Sequence, residues 1–251
     1  MDNPDLRKDD QDFYSNSADY FDTENTQQIE SHLATVKLYV AAISDFLDEI
    51  YRRRNGDVRF LELGAGTCLT TLSLRKIYPQ AKFTCADISL SRMRRFLANS
   101  SMLVGVDSSD IDLTECDMSN KLPFEDGRFD IVVFDASLHH SCNVWLTLGE
   151  CKRVLAPDGA VAALREQYLA QFTATYALKR LLQTKEVQSG VAENAYLKDQ
   201  YAYYFSANGF LPMFRGVTPG VRWRLLSPLN GLLFSKWSIW APVASMTTSA
   251  S

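Results

Sequence analysis

Apolar residues recur along this chain at two periods. Between residues 27 and 53, Leu33, Val36, Val40, Ile43, Leu47 and Ile50 fall at helical spacing, with Tyr39 and Phe46 widening the stripe, so one long helix is expected. Asn55-Gly56-Asp57 ends it, because an Asn-Gly pair favours a turn. From Val58 onwards short apolar runs alternate with amphipathic stretches. Runs at 58–63, 81–86, 111–116, 130–135 and 160–165 predict strands, and 69–77, 90–103 and 144–155 predict helices, the second with Arg92, Arg94 and Arg95 outward. Helices are also expected at 168–183 and 198–207, with a mostly polar loop at 190–197 between them. Strands alternating with helices mean βαβ units, hence an α/β fold with a mostly parallel sheet and helices on both faces.

Two regions follow. Residues 1–55 comprise a charged tip, expected to be disordered over 1–12, a short amphipathic helix suggested by Phe13, Tyr14, Tyr20 and Phe21, and the long helix. Residues 56–251 form the α/β domain, with an insertion at about 167–205.

Composition narrows the class. Of 251 residues 46% are hydrophobic and 22% charged, as in ordinary globular proteins, and no apolar run approaches the ~20 residues that span a bilayer. The polar, acidic N-terminus does not read as a secretory signal. Cys68, Cys85, Cys116, Cys142 and Cys151 are scattered without a C-x-x-C pair, which points to reduced, partly buried thiols in a cytoplasmic protein and to no zinc site. Net charge is −4, which argues against nucleic acid as the partner.

In an open parallel sheet, ligands bind beyond the carboxyl ends of the strands. After the first strand stand Glu62, Gly64 and Gly66, and the glycines let the backbone turn tightly and approach a ligand. A nicotinamide fingerprint would place a third glycine where Leu69 stands. Glu62 would repel a diphosphate and suits the ammonium of an amino-acid moiety. After the second strand comes Asp87, 21 residues past Gly66, where an acid accepts ribose hydroxyls; its plainer reading is a helix cap. After the third, Asp117 could accept from an adenine amino group while Met118 packs on the ring.

Phe60–Cys68 (FLELGAGTC), Ala86-Asp87-Ile88-Ser89, Cys116-Asp117-Met118, Leu122–Asp130, Leu138-His139-His140 and Arg153–Gly159 together resemble, in order and spacing, the successive motifs of class I S-adenosylmethionine (SAM) dependent methyltransferases. The likeness covers residues 58–166 and implies a Rossmann-like fold with SAM as cofactor. Cys68 and Asp158 stand where that family more often has glycine, and both departures are expected to be tolerated. The resemblance implies SAM contacts from Glu62, Gly64, Gly66, Asp87, Ile88, Asp117, Met118, Asp135 and Ala136, and more loosely from Tyr14 and Tyr20 on an N-terminal helical lid.

Transfer of a methyl group requires the acceptor to be held in line and, for a hydroxyl, deprotonated. The expectation is methylation of an oxygen on a small molecule, glycan or lipid-linked acceptor. His139, His140 and Glu166 are the candidate bases, set against structural roles such as Glu166 pairing with Arg165. Tyr168, Asn194 and Tyr196 in the insertion are candidate acceptor contacts, whereas at least one of Tyr201 and Tyr204 should be core. No metal is expected, since adjacent His139 and His140 should point apart. Two other readings stay open: a nicotinamide-dependent oxidoreductase, disfavoured by Leu69 and Glu62, and a non-catalytic SAM-binding partner subunit. Residues 221–242 hold Arg222, Arg224, Lys236 and three of the four tryptophans with no acid. They read as the last sheet strands and a dimer surface, or as a basic aromatic face for a peripheral membrane contact.

Overall fold

The computed structural model describes residues 4–16, 26–169, 174–216 and 235–244. Helices α1 (Pro4–Asn16), α2 (Thr26–Ala41) and α3 (Ser44–Arg53) precede an alternation of β1 (Arg59–Leu63), α4 (Leu69–Ile77), β2 (Lys82–Asp87), α5 (Leu90–Val104), β3 (Asp112–Glu115) and β4 (Phe129–Asp135). A 3-10 turn (Leu138–His140), α6 (Val144–Val154) and β5 (Leu155–Leu169) follow. The insertion holds α7 (Ala174–Leu181), α8 (Lys185–Gln188), the two-residue strand β6 (Tyr196–Leu197) and α9 (Lys198–Ala207), before β7 (Met213–Gly216) and β8 (Ser235–Pro242).

The sheet order is β3-β2-β1-β4-β5-β8-β7, with β6 paired to the end of β5. The first five strands are parallel, and β8 runs antiparallel between β5 and β7. Period-two alternation splits the core between the two faces. Phe60, Phe83, Ile131 and Val133 pack against Val36, Val40, Leu47 and Leu72 on one side. Leu61, Leu63, Val132 and Phe134 pack against Leu148, Cys151, Tyr201 and Phe205 on the other. The order of strand connection reverses between β1 and β4, so their carboxyl ends open a crevice.

Several expectations are corrected. Residues 4–12 are helical, not disordered: Pro4 opens α1 with its φ already helical, and α1 docks through Gln11 on Glu115 (3.0 Å) and Ser15 on Ser89 (2.9 Å). Of the expected helix at 13–23, only 13–16 falls in α1, and 17–23 lie outside the described residues. The long helix is two. Ile43, at φ −123°, breaks it, and the Ser44 hydroxyl donates to Ala41 O at 3.1 Å. The break keeps Val40, Ile43, Leu47 and Ile50 all buried. The strand at 160–165 is the middle of a longer one, and Tyr168 belongs to it rather than to a helix, because β8 and β6 supply ladder partners out to Tyr168. Of the segment 221–242, residues 235–242 form β8, where Trp240 is buried and stacks on Phe46 at 5.3 Å. Residues 221–234, with Arg222 and Arg224, lie outside the described residues. Among the described residues no helix is long and apolar enough to cross a membrane.

Ion pairs tie α3 to the sheet. Buried Asp130, at the start of β4, accepts from the Arg59 backbone N–H (2.8 Å) and guanidinium (3.1 and 3.2 Å) and pairs with Arg54 (3.1 Å). Asp158 pairs with Arg53 (3.2 Å) and Arg54 (2.5 Å), which gives its side chain a use where a glycine would offer none. Asp130→Ala should therefore cost about 2–3 kcal/mol. That is less than the roughly 3–5 kcal/mol for breaking a fully buried pair, since the arginines are 32% and 38% exposed. Urea unfolding checks this, and an unchanged midpoint would refute the assignment.

Candidate functional site

A cavity of about 430 Å³ opens at the carboxyl ends of β1, β2, β4 and β5. Its floor is the turn after β1. Gly64 (φ +68°) and Gly66 (φ +47°) both take left-handed backbone. A Cβ on Gly64 would lie 2.6 Å from Ser137 Cβ and 2.8 Å from Met118 Cε, so only glycine fits between β1 and the turn after β4. Cys68 also sits at positive φ (56°), fully buried at the start of α4. That position does favour glycine, and cysteine there carries a backbone strain of about 1–3 kcal/mol.

Acids line the cavity. Asp87 accepts from Gly66 N–H and Ser89 N–H, both at 2.9 Å, and so locks the first turn to the second. The cap of α5 is Ser89, not Asp87: its hydroxyl accepts from Arg92 N–H at 3.3 Å. Asp117 accepts from Ser119 N–H (2.8 Å) and the Asn120 amide (3.0 Å) beside Met118. Glu62 is buried and accepts from the Thr71 N–H (2.9 Å) and hydroxyl (2.6 Å). Burial pushes its pKa up to about 8; the Thr71 bonds oppose this and Asp135 adds to it. Asp135 is bracketed by the Thr70 hydroxyl and by the Arg165 guanidinium, whose Nη2 also contacts His32 Nε2 at 3.1 Å. Arg165 thus serves Asp135, not Glu166. A register shift in β5, with Arg165 at φ +54°, sends Arg165 into the cavity and leaves Glu166 in the core.

Behind the cavity wall, Glu166 is fully buried. One oxygen accepts from Ser137 and Leu138 N–H, both at 3.0 Å, and the other meets His139 Nδ1 (2.7 Å) and the Tyr201 hydroxyl (3.2 Å). Burial alone would raise its pKa, yet His139 and the backbone donors hold it below the usual carboxylate range. His140 lines the cavity. Its Nδ1 lies 2.9 Å from Glu193 Oε2, 3.0 Å from Ala192 O and 3.3 Å from the Tyr14 hydroxyl. The two imidazoles lie together rather than apart, with centroids 4.3 Å from each other and Glu193 beside both. With Glu193 they are close enough to share an ion: one atom from each lies within 4.8 Å of the others.

Tyr14, Glu62, Gly64, Gly66, Asp87, Ile88, Asp117, Met118, Asp135 and Ala136 all line the cavity, as does His140. Tyr20 lies outside the described residues. His139 and Glu166 stand behind the wall. Asn194 spends its amide on His139 O and Ser141 O (3.0 Å each), bracing the turn from below. Tyr196 packs edge-on against Tyr201 and Tyr204, and Tyr168 is its backbone neighbour in the ladder. Tyr201 is core, as expected of one of that pair. Sequence reasoning missed Asp10, His32, Thr70 and Arg165 on the cavity wall, and it turned Arg92 outward. Arg92 instead lies over the Tyr14 ring, 5.2 Å from its centroid. Its place in the first turn after Asp87 was the available signal; the others come from elements whose approach no local pattern encodes.

The comparisons agree with this geometry. A family model described as a methyltransferase domain matches residues 61–163. The chain is 33% identical over 108 residues to a malonyl-[acyl-carrier protein] O-methyltransferase of Geobacter sulfurreducens, covering 41% of this chain and 37% of that one. It is 28% identical over 173 residues to a ubiquinone/menaquinone biosynthesis C-methyltransferase of Desulfotalea psychrophila, covering 64% and 65%. The chain thus spans under two-thirds of either relative. A geranyl diphosphate C-methyltransferase from Streptomyces coelicolor, solved with Mg²⁺, geranyl-S-thiolodiphosphate and S-adenosyl-L-homocysteine, shares the fold at a TM-score of 0.57 and 12% identity, over 75% of this chain and 70% of that one. Residues 61–163 thus match a methyltransferase domain, and over that stretch the chain is similar to class I SAM-dependent methyltransferases, whose fold it shares.

Proposed function

We propose that this chain methylates a hydroxyl oxygen of a small-molecule, glycan or lipid-linked acceptor, with SAM held in the acid-lined cavity and His140 as the base. The observation that carries the reading is the ordered set of acids around a glycine turn at the sheet's switch point. Glu62, Asp87, Asp117, Met118 and Asp135 all line the cavity, and in this reading Asp87 takes ribose hydroxyls, Asp117 with Met118 an adenine, and Glu62 with Asp135 an ammonium and a sulfonium. No diphosphate-binding ligand suits so many carboxylates, and buried Leu69 closes the place of a third glycine, so the oxidoreductase reading is set aside.

Bound there, SAM supplies a methyl group already activated by its positive sulfur. The residues therefore have three tasks. The turn at Gly64–Gly66 and Asp87 fixes the donor. Helix α1, which places Asp10 and Tyr14 on the cavity wall, acts as the lid that excludes water. His140 takes the proton the acceptor loses, while His139 and Glu166 position the turn that carries it. The same base would serve an acidic C–H, and two of the similar proteins are named as C-methyltransferases, so carbon transfer is the second reading. Mass and NMR analysis of the product separates the two.

Three measurements test this reading. Calorimetry should show SAM binding that weakens at least about tenfold in Asp87→Ala, since a charge-assisted hydrogen bond contributes roughly 1.5–3 kcal/mol; equal affinity would sink the cofactor assignment. His140→Gln should bind SAM normally but lose about 10²–10⁴-fold in kcat, the usual contribution of a positioned base; full activity removes His140 from the reaction. Glu62 supplies a pH test in the free protein. Its folded pKa of about 8 exceeds the unfolded 4.5. Its stabilising contribution is therefore present below pH 4.5 and lost as pH rises through 8. Thermal midpoints from pH 6 to 9 should fall further for the wild type than for Glu62→Gln, and parallel curves would show that Glu62 is not buried as described.

A further inference from the structure

We infer that Glu193, on the loop between α8 and β6, is a positioning residue that holds the proton of His140 on Nδ1 and so leaves Nε2 as the basic atom. The inference rests on His140 being the base. It assigns a function to an acid from the insertion, a region otherwise expected only to touch the acceptor.

The geometry at Nδ1 sets the tautomer. Glu193 Oε2 lies at 2.9 Å and Ala192 O at 3.0 Å. Ala192 O is an acceptor only and takes the Nδ1–H, while the Glu193 carboxylate sits beside the same nitrogen as a charge that favours the proton there. A neutral imidazole has one N–H and one lone pair, and the lone pair then belongs to Nε2. His139 is differently committed: its Nδ1 meets Glu166 at 2.7 Å, and its Nε2 is 3.8 Å from Glu193 Oε1. Two acids and two imidazoles thus alternate, and only the last ring reaches the cavity.

The loop is held for this task. Asn194 N–H donates to His139 O at 3.0 Å, and its amide to His139 O and Ser141 O. Ala192 N–H donates to Asp10 Oδ1 at 3.3 Å, so α1 grips the loop from the other side. The Glu193 side chain is only 8% exposed. The charged and titratable groups facing His140 are Glu193 from the loop, Glu166 from β5, the neighbouring His139, and Tyr14 and Asp10 from α1, with Arg92 of α5 across the Tyr14 ring. Burial pulls the His140 pKa down, but the hydrogen bond and charge of Glu193 outweigh it with help from Ala192 O and Glu166, and the net direction is upward from 6.5. During transfer the acceptor's proton passes to Nε2, and the resulting imidazolium keeps its Nδ1–H on Ala192 O beside a carboxylate that stays ionised.

Long-range ¹H–¹⁵N spectra of the imidazoles test this without an acceptor, because the chain has three histidines and His140→Gln identifies the resonance. Above its titration midpoint, His140 should carry its proton on Nδ1. Glu193→Gln should lower that midpoint by about one unit or more, the size expected for loss of an adjacent opposite charge. SAM affinity should stay unchanged. A proton on Nε2, or the same midpoint in both proteins, overturns the inference; if the variant fails to fold, the wild-type tautomer alone decides. With an acceptor in hand, the acid limb of kcat/KM should move to lower pH in Glu193→Gln while kcat falls about 10–100-fold, and an unmoved limb again overturns it. Full activity of His140→Gln alongside the expected spectra would instead refute the base assignment and leave the tautomer intact.

Discussion

One buried carboxylate organises the site. Glu166 has no solvent and accepts four hydrogen bonds, two from the turn after β4, one from His139 and one from Tyr201 on α9. A charge removed from water is tolerated only when its lone pairs are satisfied. The turn from Ser137 to His140 is therefore shaped around that carboxylate, and α9 is drawn in from the insertion to complete it. The position of His140 at the cavity is a consequence, and so is the route of the loop that brings Glu193 to it.

The cavity shows the same logic at its polar wall. Among the described residues, three of the four non-glycine positions at positive φ, Cys68, Ala136 and Arg165, lie beside it or under it. Each marks a place where the backbone leaves its regular path so that a side chain or N–H reaches the crevice. Arg165 neutralises Asp135 while Thr70 and His32 hold the pair in place. Among the described residues Glu62 has no such cation at bonding distance and relies on Thr71, which fits its upward pKa and suits a site that gains its positive charge with the ligand.

The sequence by itself determined most of the sheet. Short apolar runs in 58–63, 81–86 and 130–135 coincide with β1, β2 and β4 to within a residue, and helix 69–77 matches α4, because strands covered on both faces read as continuous apolar stretches. It also brought the residues from Glu62 to Ala136 to one cavity, since strand ends in a parallel sheet converge whatever the rest of the chain does. The tertiary structure decided what depends on distant partners. Residues 4–12 belong to a helix that docks on Glu115 and Ser89, and 27–53 breaks at Ile43, which keeps both halves of the apolar stripe buried. The pairing of Arg165 with Asp135 rather than Glu166, the inward turn of Arg92, and the meeting of His140 with Glu193 across more than fifty residues are all contacts between elements. A periodic pattern reports burial of one element at a time, and it carries no record of which buried acid will meet which buried base.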